Sequence, residues 1–165
     1  MSSGPTSSGW IGWLVFVAIC FIAAAIGAWF TAGSVKSWYP ALLKPAGTPP
    51  AWVFGPVWTT LYLLMGTAAW LVWRHRLDGN VTLGLTLFFV QLALNATWSF
   101  VFFGLRRPGL ALLEILALLA AIIATVTSFA QVSRLAFWLM TPYLAWVLYA
   151  TLLNLGIWRL NRGAA

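Results

Sequence analysis

Residues 38–58 read WYPALLKPAGTPPAWVFGPVW and stand between two long apolar runs, with five prolines and three tryptophans among them. A proline inside a helix removes a backbone hydrogen bond and kinks or breaks the helix. Lipid offers nothing that could replace the lost bond. Most of this stretch must therefore lie outside the hydrocarbon, and the apolar runs on either side become separate helices. Pro49 and Pro50 suit the first turn of the helix that follows, where a missing N–H is harmless. Pro56 alone falls inside a span, where it should kink the chain beside Trp58.

The rest of the chain agrees with a membrane setting. Of its 165 residues 62% are hydrophobic and 7% charged, against roughly 25% charged in an average soluble domain. A hydrocarbon core about 30 Å thick needs about 20 apolar residues per helix. Five runs meet that length, at about 10–32, 51–73, 81–104, 109–130 and 136–158. The expected fold is an all-α membrane protein, a five-transmembrane-helix bundle with a long ordered first loop. It forms one domain over residues 10–160, between short tails at 1–9 and 161–165. Gly33 and Ser34, RHRLDGN (74–80), RRPG (106–109) and QVSR (131–134) carry the breaks, and connections this short predict an up-and-down bundle. The opening MSSGPTSSG lacks the basic segment of a signal peptide and reads as a tail before a retained helix.

Basic residues near span ends set the orientation. Arg74, Arg76 and Arg134 share the side of the N-terminal tail; Lys36, Lys44, Arg106, Arg107, Arg159 and Arg162 occupy the other. This places the C-terminus and the first connection inside the cell and the N-terminus outside. Segments between the spans are too short to build the basic surface that nucleic acid requires.

Most active-site chemistries are excluded by what is missing. Cys20 is the single cysteine and His75 the single histidine, so no intrachain disulfide, cysteine-metal framework or bis-histidine haem site can form. No metal site is expected, and no cofactor is required. No paired acid and base or activated nucleophile is visible. Glu114 is the one carboxylate expected inside a span; near a helix N-terminus it is favoured by the macrodipole and within reach of Arg106 or Arg107. A proton-coupling role is the alternative for it.

Polar and aromatic residues gather instead on helix faces. Gln91, Asn95, Trp98 and Phe102 share one face of the third helix, Pro142, Tyr143, Trp146, Ala150 and Asn154 one face of the fifth, and Trp58, Tyr62 and Met65 one face of the second. Asn95 must find a partner, either across a helix contact or on a ligand. Three such faces aimed inward could enclose a flat apolar guest. Trp10, Trp13, Trp73, Trp138 and Trp158 lie near span ends, as interfacial anchors do. Pairs such as Ala23 and Gly27, or Ala24 and Ala28, have the small-xxx-small spacing of close helix contacts or a homodimer seam.

Residues 38–62 (WYPALLKPAGTPPAWVFGPVWTTLY), 91–104 (QLALNATWSFVFFG) and 142–154 (PYLAWVLYATLLN) resemble the three signature segments of the TspO/MBR family, of which this looks like a bacterial member. The resemblance runs from the first span to the end of the fifth. It implies five helices around a ligand cavity, a homodimer among membrane lipids, and protoporphyrin or another tetrapyrrole as ligand, to be sensed, sequestered or transported. It places pocket residues at Tyr39, Pro49, Trp58, Asn95, Trp98, Trp146 and Ala150, to which the face analysis adds Tyr62 and Tyr143. Trp58 and Trp146 match the tryptophan pair implicated in light-dependent porphyrin degradation, the one enzymatic activity in view. A regulatory scaffold acting through a protein partner is a third possibility. Cholesterol is not carried over, because Asn154 is followed by Leu155 rather than tyrosine, and Tyr149 stands too far from Arg159 for the proposed sterol pattern. Lys36 and Lys44 would meet either lipid headgroups or a ligand's acidic groups.

Overall fold

The computed structural model describes residues 8–77, 79 and 81–163. Five helices follow in order: α1 (Ser8–Ser37), α2 (Ala51–Trp73), α3 (Thr82–Ser99), α4 (Pro108–Val132) and α5 (Arg134–Asn161). A single 3-10 turn, Tyr39–Ala41, precedes α2, and a π-helical turn, Phe100–Gly104, extends α3. No strand occurs among the described residues. Most of the N-terminal tail, Asp78 and Asn80 of the 74–80 connection, and the last two residues of the C-terminal tail lie outside the described residues.

α1, α3 with its π turn, α4 and α5 are each long and apolar enough to cross a membrane. α2 has the length, since 23 residues rise about 34 Å, but its tryptophans, threonines, glycines and Pro56 dilute its hydropathy. It therefore stands apart from the other four.

Helix ends differ from the expected bounds where side chains supply bonds that hydropathy cannot show. Gly33 and Ser34 do not end α1. The Ser34 hydroxyl donates to the Phe103 carbonyl at 2.6 Å, and Trp38 N–H still donates back to Ser34 O at 3.0 Å. The first connection thus shrinks to residues 38–50, shorter than expected. Pro50 is the N-cap of α2, so both prolines precede the helix instead of filling its first turn. α2 is continuous through Pro56, and the Thr60 hydroxyl bonds the Pro56 carbonyl at 3.0 Å. QVSR contracts to Ser133, whose side chain accepts from Ala136 N–H and caps α5.

Between α3 and α4 the chain reverses at Arg106, a non-glycine residue at φ 56°. That left-handed conformation costs roughly 1–2 kcal/mol, and it brings the Arg107 N–H within 3.3 Å of the Val101 carbonyl.

Around the bundle the order is α1, α2, α5, α4, α3 and back to α1. α2 and α3 follow one another in the chain yet touch only lightly, so the short connection does not make them full neighbours as expected. What closes the ring is the approach of α1 to both. Gly66 sits where a Cβ would stand 2.8 Å from Val17 Cα and 3.1 Å from the Phe16 carbonyl oxygen. The Trp13 indole donates to Thr67 Oγ1 at 3.0 Å and the Trp70 indole to Gly9 O at 2.9 Å, fastening the same end of the pair. Trp13, Trp73 and Trp158 are only partly exposed, whereas Trp10 and Trp138 show 60% and 57% of their surface, as anchors do.

Two polar side chains break the pattern of satisfied groups. The fully buried Gln91 amide and the Glu114 carboxyl oxygens have no protein partner among the described residues. The expected pairing of Glu114 with Arg106 or Arg107 is not formed. α4 begins at Pro108, and both arginines stay exposed at the turn before it while Glu114 points inward a helical turn and more further on.

Replacing Gly66 with Ala should separate α1 from α2 and lower stability by roughly 1–3 kcal/mol, the usual range for overpacking a tight contact. Thermal unfolding in detergent measures this; an unchanged midpoint would show that the backbones do not rely on the glycine.

Candidate functional site

Asn95 occupies the centre of the bundle. Its Oδ1 accepts from the Tyr62 hydroxyl of α2 at 2.5 Å, and its Nδ2 donates to the Tyr143 hydroxyl of α5 at 3.1 Å. All three residues are buried. In an apolar surrounding each unmade bond would cost more than in water, so the three groups hold one another in place. One turn further along α3, the Trp98 indole donates to Asn154 Oδ1 at 3.1 Å, while Asn154 Nδ2 donates to the Pro108 carbonyl at 2.8 Å. α2, α3, α5 and the start of α4 are thereby tied by side-chain amides.

Beside these bonds lies a cavity of about 560 Å³ lined by all five helices. Its walls are aromatic. Trp58 packs against Tyr62 with ring centres 5.5 Å apart and meets the Tyr143 ring edge-on at 6.3 Å. Phe54 stands edge-on to Trp146 at 5.9 Å, and Trp98 stacks on Phe102 at 5.0 Å with planes 26° apart. Each indole is fixed by neighbouring rings, so the walls are set before any guest arrives. Ala150 leaves room next to Trp146, and Ala24, Gly27 and Ala28 keep the α1 side thin.

Between α1 and α2 the wall is incomplete. Ala25 and Ala28 of α1 and Gly55 and Thr59 of α2 line the cavity and are exposed. A Cβ on Gly55 would meet nothing within 4 Å. Small side chains thus keep the wall thin between these two helices.

Above the cavity runs the connection 38–50, held mainly by α5. Asn161 accepts from Leu43 N–H at 3.1 Å and donates to Leu43 O at 2.9 Å. The Tyr149 hydroxyl donates to the Gly47 carbonyl at 2.5 Å, and Gly47 takes φ 89°, a conformation natural to glycine. A Cβ on Gly156 would collide with the Pro45 ring at 2.8 Å. Burial pushes the Tyr39 phenol above its usual pKa, and nearby Tyr149 adds to the shift. Tyr39 thus stays a neutral hydrogen-bonding group at the rim.

Of the residues expected in the site, Tyr39, Trp58, Tyr62, Asn95, Trp98, Trp146 and Ala150 are brought together around the cavity. Pro49 is not; it lines a separate hollow under the connection. Tyr143 stands behind the wall, fully buried, and acts through Asn95 and Trp58. Phe54, Phe103, Leu118 and the α1 face were not expected, although Ala24 and Ala28 carried a signal in their small-xxx-small spacing. That spacing marks a cavity wall here. Among the described residues no cluster of His, Cys, Asp and Glu could hold a metal ion.

Comparison with known proteins places this arrangement among its relatives. The sequence profile of the TspO/MBR family matches residues 16–159. A tryptophan-rich protein TspO of Archaeoglobus fulgidus is 43% identical over 135 residues, covering 82% of this chain and 87% of its own. The human translocator protein is 41% identical over 157 residues, covering 93% and 92%. A tryptophan-rich sensory protein of Cereibacter sphaeroides is 38% identical over 152 residues, covering 92% of both.

Asn95→Leu should strand two buried tyrosine hydroxyls, each at about 1–3 kcal/mol, and lower the unfolding midpoint sharply. Adding Tyr62→Phe and Tyr143→Phe to it should recover much of the loss, because the stranded groups are then gone. A triple variant no more stable than Asn95→Leu alone would rule out the bond network as the source.

Proposed function

This chain belongs to the TspO/MBR family, and on that premise we propose that it binds protoporphyrin or a related planar tetrapyrrole within the membrane, in a sensing or transport role. It is an integral membrane protein, as its apolar helices and its family require. In this reading α2 is the fifth span, and the six-cation end, with the C-terminus and the first connection, faces the cytoplasm. The names of its relatives speak of translocation and of sensing.

One observation carries the ligand class: a cavity of about 560 Å³ whose walls are flat aromatic rings and whose polar groups are few. Its size lies in the range of small-molecule sites, about 300–1,000 Å³, and the faces of Trp58 and Trp146 suit stacking on a planar guest. Asn95 already uses both of its polar atoms within the protein. What it retains for a guest is a second amide hydrogen and a second lone pair. An apolar ring system dissolved in lipid would arrive through the gap between α1 and α2 and need not pass through water.

A second reading, light-driven oxidative breakdown of the bound ring with dissolved oxygen as oxidant, is favoured by the position of Trp58 and Trp146. Both stand in the cavity wall, where an excited guest meets an oxidisable indole. Illumination that yields the same products from wild type and from a Trp58→Phe, Trp146→Phe variant would remove that reading.

In the dark, the same double variant should bind protoporphyrin at least about tenfold more weakly, read from quenching of the remaining tryptophans; unchanged affinity would place the guest elsewhere. Gly55→Leu fills open space and should slow association severalfold without lowering the unfolding midpoint. An unaltered association rate in that variant would exclude the lateral path.

A further inference from the structure

The hollow that takes Pro49 adjoins the main cavity. Val35, Tyr39 and Ala51 line both, so the two spaces meet at the Tyr39 ring. Their chemistry differs. Among all the residues lining either space, Lys44 alone carries a charge. Its ammonium lies 4.8 Å from the centre of the Tyr39 ring and donates to the Pro40 and Leu42 carbonyls at 3.3 and 3.2 Å. An ammonium has three donors, and two are engaged. Among the described residues no carboxylate pairs with it: Glu114, the one acidic residue there, is enclosed in α4. Backbone donors are scarce around it, because Pro40, Pro45 and Pro49 of the same hollow have no N–H.

We propose that this hollow is a carboxylate subsite, in which Lys44 pairs with an acidic substituent of a ligand whose rings occupy the main cavity. The inference rests on the reading of the main cavity as a site for a planar apolar guest. The main cavity offers an anion no charge of opposite sign, since no lining residue there is cationic, and the Asn95 and Asn154 amides, each already donating once within the protein, keep only a neutral N–H apiece. An amphipathic guest must therefore send its acid toward the connection. Two bonded carbonyls and the Tyr39 ring hold the ammonium at the junction, so little ordering is left for the moment of binding. Lys36, on the exposed last turn of α1, lines neither space.

The test compares protoporphyrin IX with its dimethyl ester, whose rings are the same and whose acids are masked, on protein in phosphatidylcholine nanodiscs without anionic lipid. Wild type should favour the free acid by about tenfold, as a charge-assisted bond in a low-dielectric site warrants. Lys44→Gln should bring that preference close to one while leaving ester affinity unchanged; Lys44→Arg should keep most of it, and Lys36→Gln all of it. Equal wild-type affinity for acid and ester would overturn the subsite and leave the cavity reading intact. So would equal losses for both compounds in Lys44→Gln, which mark a purely structural lysine. Failure of both compounds to quench tryptophan emission would overturn the cavity reading, and the subsite with it.

Discussion

A polar side chain inside a bilayer has only the protein to bond with, and the architecture follows from how that demand is met at Asn95. One amide takes a hydroxyl from α2 and gives a hydrogen to a hydroxyl on α5. Lipid tails supply no hydrophobic drive between helices, so directional bonds of this kind decide which helices meet and in what register. α2 and α5 become neighbours although two helices separate them in the chain. α1 then closes the ring by backbone contact at Gly66, where the absence of a side chain counts for more than any bond.

Tyr62 and Trp98, which complete these bonds, also form the cavity wall, and Tyr143 backs it. Trp98 is tied by its indole nitrogen to Asn154, and Trp58 is wedged between two tyrosine rings whose hydroxyls are themselves committed. Stability and shape thus share residues. Rings held this way lose little freedom when a guest arrives, which favours affinity without adding contacts.

Much of this was legible in the sequence, for identifiable reasons. Five apolar runs announced the five helices, and helical spacing put Trp58, Tyr62, Asn95, Trp98, Trp146 and Ala150 on inward faces. Hydropathy could not show that Ser34 would keep α1 going by bonding a carbonyl in a distant π turn. That turn was itself hidden. It shifts the helical phase after Ser99, so that Phe102 and Phe103 both reach the cavity. Ring order was illegible because a short connection limits distance without compelling contact. Small residues on α1 were ambiguous: alanine and glycine mark a tight helix contact and a thin cavity wall alike. Pro49 was misplaced because the family resemblance fixes a position along the chain but not which of two adjoining spaces it borders.

The first connection is fastened to α5 at Leu43, Pro45 and Gly47, through Asn161, Gly156 and Tyr149. Trp146 and Ala150, on the same helix, form part of the cavity wall. Helices are stiff over this length, so a guest that displaces α5 by a fraction of an ångström drags the anchor points of the connection with it. The surface presented to water is in this sense the far end of a lever whose short arm rests on the guest. Were the cavity occupied by such a guest, its presence would be felt as a change of relief at the connection, with no signal having to cross the lipid as a charge or a diffusing molecule.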